Sequence, residues 1–131
     1  MQLFTLAMYI ASATALGINC RGSSFCTLGG AKITDVQGQI GDMIALGYGD
    51  RYFNSGDQIA CAKGKYESIC AFFQNGAGGT AQQAFDYIQN LVDHGCTVCG
   101  SVPTQDGNDV STGELTINAV DSPCCKGNCQ C

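Results

Sequence analysis

Residues 32–46 carry apolar side chains at the spacing of a helix. The apolar positions recur at steps of three, four, three and one residues, which places them on one helix face: Ile33, Val36, Ile40, Met43 and Ile44. Gly38 and Gly41 lie within the segment, and each weakens an isolated helix by about 1 kcal/mol relative to alanine. The pattern therefore predicts an amphipathic helix that depends on packing against the rest of the protein.

A second helix is predicted over residues 81–94. Thr80 and Gln83 have the spacing of a capping box, and Gly95 stands where a left-handed C-terminal cap belongs. The apolar stripe consists of Ala84, Phe85, Ile88, Leu91 and Val92. His94 precedes the glycine, and we interpret it as a structural residue at the negative end of the helix dipole. A pH-sensing or ligand-binding role is the alternative.

The remaining regular structure is predicted to be strands. The candidate segments are residues 16–20, 52–62 with a break at 54–57, 68–74 and 114–120. In the last of these, Leu115, Ile117 and Ala119 alternate with Glu114, Thr116 and Asn118, as in a strand with one buried face. Residues 75–79 and 105–113 read as turns or polar loops, and the tail, residues 121–131, reads as irregular. The order of elements predicts an α+β fold, a small two-layer sandwich with both helices on one face of an antiparallel sheet.

The first 15 residues read MQLFTLAMYIASATA, an uncharged apolar run that ends in small residues. The run is too short to span a bilayer, and Ala13-Thr14-Ala15 fits the small-x-small cleavage rule. We interpret residues 1–15 as a secretory signal peptide and residues 16–131 as a single extracellular domain. We expect this domain to be a monomer that does not insert into a membrane.

The net charge and the single histidine exclude or disfavour several classes of function. Six basic residues against eleven acidic ones leave a net charge of -5, which disfavours a grip on nucleic acid phosphates. One histidine excludes a catalytic histidine pair and a three-histidine zinc site. No nucleophile with its base and no paired catalytic carboxylates stand out, so we predict a non-enzymatic protein without a cofactor. Asp106 and Asp109 lack the spacing of a calcium-binding EF-hand, and a polar turn is the preferred interpretation.

The cysteines predict a disulfide framework, because their number is even and we interpret the chain as secreted. They are Cys20, Cys26, Cys61, Cys70, Cys96, Cys99, Cys124, Cys125, Cys129 and Cys131. Within the tail, neighbouring Cys124 and Cys125 would strain a mutual bond. Crossing or nested pairs with Cys129 and Cys131 fit better.

Redox and metal chemistry are the alternatives for these cysteines. The motif Cys96-Thr97-Val98-Cys99 has redox spacing, but it follows a helix end, where the dipole disfavours a thiolate. Cys20 and Cys26 with Cys96 and Cys99 could also bind zinc, and the tail cysteines could bind a soft metal. Oxidation competes with both outside the cell, so we assign no metal site.

Two stretches of the mature sequence carry a distinctive pattern of cysteine, glycine and asparagine. The first is LGINCRGSS at residues 16–24, followed by Cys26. The second is NLVDHGCTVCGS at residues 90–101, followed by GNDVS at 107–111 and GELTIN at 113–118. Together with Cys61 and Cys70, these stretches extend over nearly the whole mature chain. In this pattern the sequence resembles the killer protein four family of fungal killer toxins.

The resemblance implies a five-stranded antiparallel sheet that carries two antiparallel helices. It also implies the disulfides Cys20–Cys96, Cys26–Cys99 and Cys61–Cys70. Three cysteines of the family pattern are absent here, between the positions of Cys26 and Cys61 and between those of Cys70 and Cys96. The tail instead gains three beyond Cys124, which we therefore expect to pair inside the tail.

The resemblance further implies a toxin that blocks voltage-gated calcium channels through a lysine in the loop between Cys61 and Cys70. The family's lysine position is Ser68 in this chain, and Lys63 and Lys65 place ammonium groups nearby. An ammonium on a rigid loop competes with a cation at the carboxylate ring of a pore. We therefore take Lys63, Lys65 and Tyr66 as the candidate target-binding residues.

Two expectations about the partner follow. The first is a membrane calcium channel or another cell-surface target, although the acidic net charge weakens long-range attraction to an acidic pore. Under that hypothesis, Lys63 and Lys65 are more than solvated hairpin residues. The alternative is a secreted effector, or a module that binds a cell wall or a host protein, which keeps the fold without channel block and uses the cysteine tail.

Overall fold

Two α-helices and seven strands form most of the regular structure of residues 16–131, the part that the computed structural model describes. The predicted signal peptide lies outside the described residues. The helices are α1, Ile33–Met43, and α2, Ala81–Asp93. The strands are β1 Tyr52–Phe53, β2 Gln58–Ala62, β3 Ser68–Gln74, β4 Gly79–Thr80, β5 Gly100–Pro103, β6 Glu114–Val120 and β7 Cys129–Gln130. Among these residues, no helix has the length and apolarity to cross a membrane.

The main sheet has five antiparallel strands in the order β5-β6-β3-β2-β7. Its centre is the β3–β6 pair, whose register runs from Ser68 opposite Val120 to Gln74 opposite Glu114. Strands β1 and β4 form a separate two-stranded sheet. The β2–β3 hairpin places Cys61 directly opposite Cys70. This hairpin presents the loop that contains Lys63 and Lys65 at one end of the sheet.

Both helices pack on the same face of the main sheet and run antiparallel. The Gln37 side-chain amide of α1 donates to the Gln89 amide oxygen of α2 at 3.0 Å, and Gly41 lies against the Phe85 ring. Residue numbers therefore rise along α1 in the direction in which they fall along α2. Between helices and sheet lies a core of fully buried side chains, which includes Ile33, Val36, Ile40, Met43, Ile59, Phe73, Ile88, Leu91, Leu115 and Ile117. The predicted α+β fold with two helices on one antiparallel sheet is confirmed.

The two helices begin where the sequence places them. Thr80 accepts a hydrogen bond from the Gln83 backbone at 3.1 Å, and the Gln83 side chain accepts one from the Thr80 backbone at 2.9 Å. Gly95 has φ 95°, and His94 is the C-terminal cap residue. Helix α1 ends earlier than predicted, at Met43, and continues as one turn of π-helix over Ile44–Tyr48. Gly47 interrupts that turn with φ 94°, a conformation that favours glycine.

The strand predictions need four corrections. Gly79–Thr80, at the end of the predicted turn over residues 75–79, pairs with β1 as strand β4. Residues 16–20 form no strand, and only Asn19 bridges to Ser101 on the unpredicted strand β5. The tail is not irregular throughout, because Cys129–Gln130 pairs with β2 as strand β7. Strand β6 has its predicted bounds, yet its polar side chains Glu114 and Thr116 are also buried, at 8% and 4% exposure. Buried polar groups need partners, and the Thr116 hydroxyl supplies one by donating to the Glu114 carboxylate at 2.7 Å.

Candidate functional site

All ten cysteines are joined in five disulfides. They are Cys20–Cys96, Cys26–Cys99, Cys61–Cys70, Cys124–Cys131 and Cys125–Cys129. The first three are the pairs that the resemblance implies, and the tail pairs are nested. Cys20, Cys26, Cys96 and Cys99, which were considered above as redox groups or zinc ligands, thus form two disulfides that tie residues 20–26 to the end of α2.

The loop between β2 and β3 presents the candidate target-binding residues to solvent. Lys63 and Lys65 are exposed, and Tyr66 is 62% exposed. The Lys65 ammonium lies 5.4 Å from the centre of the Tyr66 ring, within the range of a cation–π contact. The structure therefore places two ammonium groups and one aromatic ring together on the surface of a disulfide-closed hairpin.

Backbone contacts hold this loop from two sides. The Lys65 N–H donates to the carbonyl of Gly29 at 3.2 Å, and the Lys63 N–H donates to the side-chain oxygen of Asn128 at 2.8 Å. Gly64 lies so close to the Glu67 carbonyl that an added Cβ would overlap it. The loop is thus fixed to the segment before α1 and to the tail, so its lysines start from a defined backbone.

Ser68, where the resemblance places a lysine, is buried at the foot of this loop and lines the same surface cavity as Lys63 and Lys65. It is the first residue of β3, pairs with Val120 and is 8% exposed. Because an unpaired charge is costly to bury, a lysine in place of Ser68 would have to direct its ammonium group into that cavity. The exposed cations of the loop are instead Lys63 and Lys65.

The tail packs around the hairpin disulfide at the β2 edge of the main sheet. The Cys61 sulfur lies 3.7 Å from the Cys124 sulfur and 3.9 Å from the Cys131 sulfur. The Cys131 N–H donates to the Ile59 carbonyl at 2.8 Å. An Arg51 Nη donates to the carbonyl oxygen of Cys131 at 3.3 Å. These contacts hold the tail disulfides against the hairpin disulfide.

The tail also brings Lys126 to the edge of the loop. A cavity of about 240 Å³ is lined by Lys63, Lys65 and Lys126, together with the acidic Glu67 and Asp121. Tyr66, Val120 and Pro123 contribute its apolar wall. The sequence pattern alone did not single out Lys126. Its position between Cys125 and Cys129 points to a place in a small disulfide-closed loop, but only once the pairing of these two cysteines is known.

The other polar residues considered above do not join this cavity. His94 is exposed at the end of α2, where its backbone N–H donates to the Asn90 carbonyl at 3.0 Å. Asp109 caps the short 3-10 turn Val110–Thr112, a polar turn of the kind expected. Hydrogen bonds from the Ser111 hydroxyl, at 2.7 Å, and from the Ser111 backbone, at 2.9 Å, hold the pKa of Asp109 below its ordinary value.

Comparison with known proteins agrees with this architecture. A family model described as Kp4 matches residues 3–121. The KP4 killer toxin of Ustilago maydis P4 virus is 43% identical over 123 residues, which cover 92% of this chain and 91% of that toxin. The family-model match extends through the signal-like segment, both helices, the hairpin and β6, and it stops before the cysteine tail. The chain therefore belongs to the Kp4 family of killer toxins.

Proposed function

We propose that this killer-toxin-like protein is secreted and antagonises other cells by blocking a calcium channel through Lys63, Lys65 and Tyr66. The observation that carries the proposal is the exposure of two ammonium groups on one disulfide-closed loop with a fixed backbone. A pore that selects divalent cations does so with a ring of carboxylates, to which an ammonium is attracted. A loop that is already ordered loses little conformational entropy when it binds.

The acidic net charge is compatible with this role because the charges are unevenly placed. Lys63, Lys65 and Lys126 surround one cavity, whereas most acidic residues lie elsewhere on the chain. A carboxylate-lined pore attracts the lysine end and repels the acidic remainder. The electrostatic field thus orients the approach as well as changing its rate, and the attraction weakens as salt is added.

The proposal is tested by recording calcium currents in cells treated with the purified mature protein. We expect the double variant Lys63→Ala with Lys65→Ala to lose block by about tenfold or more, because both loop ammonium groups are gone. Lys32→Ala is the matched control. Lys32 is an exposed lysine at the start of α1 whose side chain caps no backbone group, so removing its charge should leave block unchanged.

Growth inhibition of competing fungi or plant roots provides a second measurement. Inhibition that added calcium relieves, and that the double variant lacks, supports channel block. An unchanged calcium current at a protein concentration that inhibits growth contradicts it.

The second candidate is a secreted effector or a module that binds a wall or a host protein. The extent of the family match favours it, because residues 122–131 lie outside the matched segment and so could carry a separate function. In that case the unaltered protein and the double loop variant give the same calcium current, and both remain bound to isolated walls or to the host protein.

A further inference from the structure

The distribution of charge singles out one end of the molecule. Three of the six basic residues, Lys63, Lys65 and Lys126, line a single cavity together with two of the eleven acidic residues. Three basic and nine acidic residues remain for the rest of the chain. The cavity is therefore a cationic site on an otherwise acidic protein.

Two small disulfide-closed loops meet at this site. Lys63 and Lys65 lie inside the loop closed by Cys61–Cys70, and Lys126 lies inside the loop closed by Cys125–Cys129, whose cysteines are four positions apart. Asn128 of the second loop accepts a hydrogen bond at 2.8 Å from the Lys63 N–H of the first. The two loops are thus fixed relative to each other, and their three lysines form one surface.

We propose that Lys126 is a third contact residue of the target site and that the partner presents several carboxylates to it. This inference rests on the proposed function for the role of the hairpin loop, and it extends the site to a segment beyond residue 121, where the family match ends.

The chemistry of the cavity favours separate carboxylates over a single phosphate. Lysine ammonium groups are point charges, and the bidentate fork with which arginine recognises phosphate is missing, since the cavity lining contains no arginine. Glu67 and Asp121 stand among the lysines and repel a compact dianion placed in the middle. Carboxylates spread over a partner surface reach each lysine separately. The exposed Tyr66 ring and Pro123 supply apolar contact beside them.

The test uses the mature full-length protein and poly-L-glutamate as the probe, with affinity measured at low ionic strength. We expect Lys126→Ala to weaken binding about three- to fivefold, the effect of one exposed charge pair in a cluster. The control Lys32→Ala removes the same charge from a residue outside the cavity lining. Its affinity should stay within about twofold of the unaltered protein, because an exposed charge outside the contact contributes little.

A second variant separates the position of Lys126 from its charge. Cys125→Ser with Cys129→Ser keeps Lys126 but opens the small loop that holds it, so binding should weaken in the same direction. Mass-spectrometric mapping of the remaining disulfides confirms that the variant has folded. The proposal is overturned if the unaltered protein does not bind poly-L-glutamate, or if Lys126→Ala binds as tightly as Lys32→Ala.

Calcium currents recorded with the same variants separate this inference from the proposed function. If probe binding depends on Lys126 but the protein does not change the calcium current, the carboxylate-binding site is supported and channel block is rejected. The opposite result is channel block that depends on Lys63 and Lys65 while Lys126→Ala changes neither block nor probe binding. That result would reject Lys126 as a contact residue and leave the proposed channel block standing.

Discussion

Ser68 is a single position that changes which residues are taken as the candidate target-binding residues. The resemblance to killer toxins points to this position for a lysine, yet here it is occupied by a serine that is 8% exposed at the start of β3. Lys63 and Lys65 lie only a few residues away and are exposed. The loop of this chain is therefore cationic at Lys63 and Lys65 and not at position 68.

Asp109 provides a prediction about pH at the same scale. Its pKa is lowered mainly by the Ser111 hydroxyl and secondarily by the Ser111 backbone N–H. Because the folded-state pKa lies below the unfolded value, the ionised carboxylate contributes stability above the unfolded pKa, and the contribution is lost as pH falls through the folded pKa. We expect Ser111→Ala to raise the pKa of Asp109 toward the ordinary value, measured by carboxyl NMR titration. An unchanged Asp109 midpoint would show that the hydroxyl does not stabilise the carboxylate.

At the scale of elements, α1 illustrates the balance between weak local propensity and strong packing. Ile33, Val36 and Ile40 are fully buried, as the periodicity predicts, although two glycines lie in the same helix. Gly41 has a reason to be small, since a Cβ there would lie 3.3 Å from the Phe85 ring of α2. Gly38 has no such neighbour.

Gly38→Ala should therefore stabilise the protein. The position is exposed, lies inside α1 and leaves open space where the alanine Cβ would go, so the substitution gains helix propensity without a clash. We expect an increase of about 1 kcal/mol in the free energy of unfolding, measured by guanidinium denaturation with the disulfides intact.

Gly47→Ala is the contrasting variant. Gly47 also has open space around it, but its φ of 94° strains any residue with a Cβ, so this substitution should destabilise the protein. Equal effects of the two substitutions would contradict the role assigned to backbone conformation.

Strand predictions succeeded where the pattern was local and failed where pairing was distant. Strands β3 and β6 have their predicted bounds because their apolar alternation or apolar content is visible within seven residues. Strand β5 is short and its order comes from pairing with β6, so its four residues, Gly-Ser-Val-Pro, give little local signal. Residues 16–20 reach the main sheet through Asn19. Two further hydrogen bonds of this segment go to the loop before β6, where the Val110 N–H donates to the Leu16 carbonyl and the Ile18 N–H donates to the Asn108 side-chain oxygen.

At the scale of the whole molecule, the disulfides differ in their access to solvent. Cys61 and Cys70 are fully buried and lie beneath the tail, whereas Cys124 is exposed and its tail neighbours are half-buried. A reductant reaches the two tail bonds more readily than the hairpin bond, because thiol–disulfide chemistry depends on access to the sulfur atoms.

Partial reduction should therefore open Cys124–Cys131 and Cys125–Cys129 before Cys61–Cys70. The measurement is stepwise reduction by a phosphine at acidic pH, followed by alkylation and mass-spectrometric mapping. Acidic conditions suppress exchange between the closely packed sulfur atoms by keeping released thiols protonated. Early labelling of Cys61 and Cys70 with the tail bonds intact would contradict the packing of the tail over the hairpin.

The sequence by itself determined the elements whose cause is local. Apolar periodicity and the Thr80 capping box predicted both helices, the apolar pattern predicted β3 and β6, and an even count of cysteines behind a signal-like leader predicted a disulfide framework. The family could also be recognised, because that resemblance is carried by residues in linear order. Each of these features can be read within a short stretch or by counting.

Only the tertiary structure decided which surfaces those elements form. The burial of Ser68, the pairing of the tail as β7 and the placement of Lys126 beside Lys63 depend on residues about fifty to seventy positions apart in the chain. Such contacts are fixed by hydrogen-bond register and by sulfur pairing, and several cysteine connectivities are compatible with the same sequence. The connectivity found in the folded protein is the one that brings three lysines together at one end of an acidic protein.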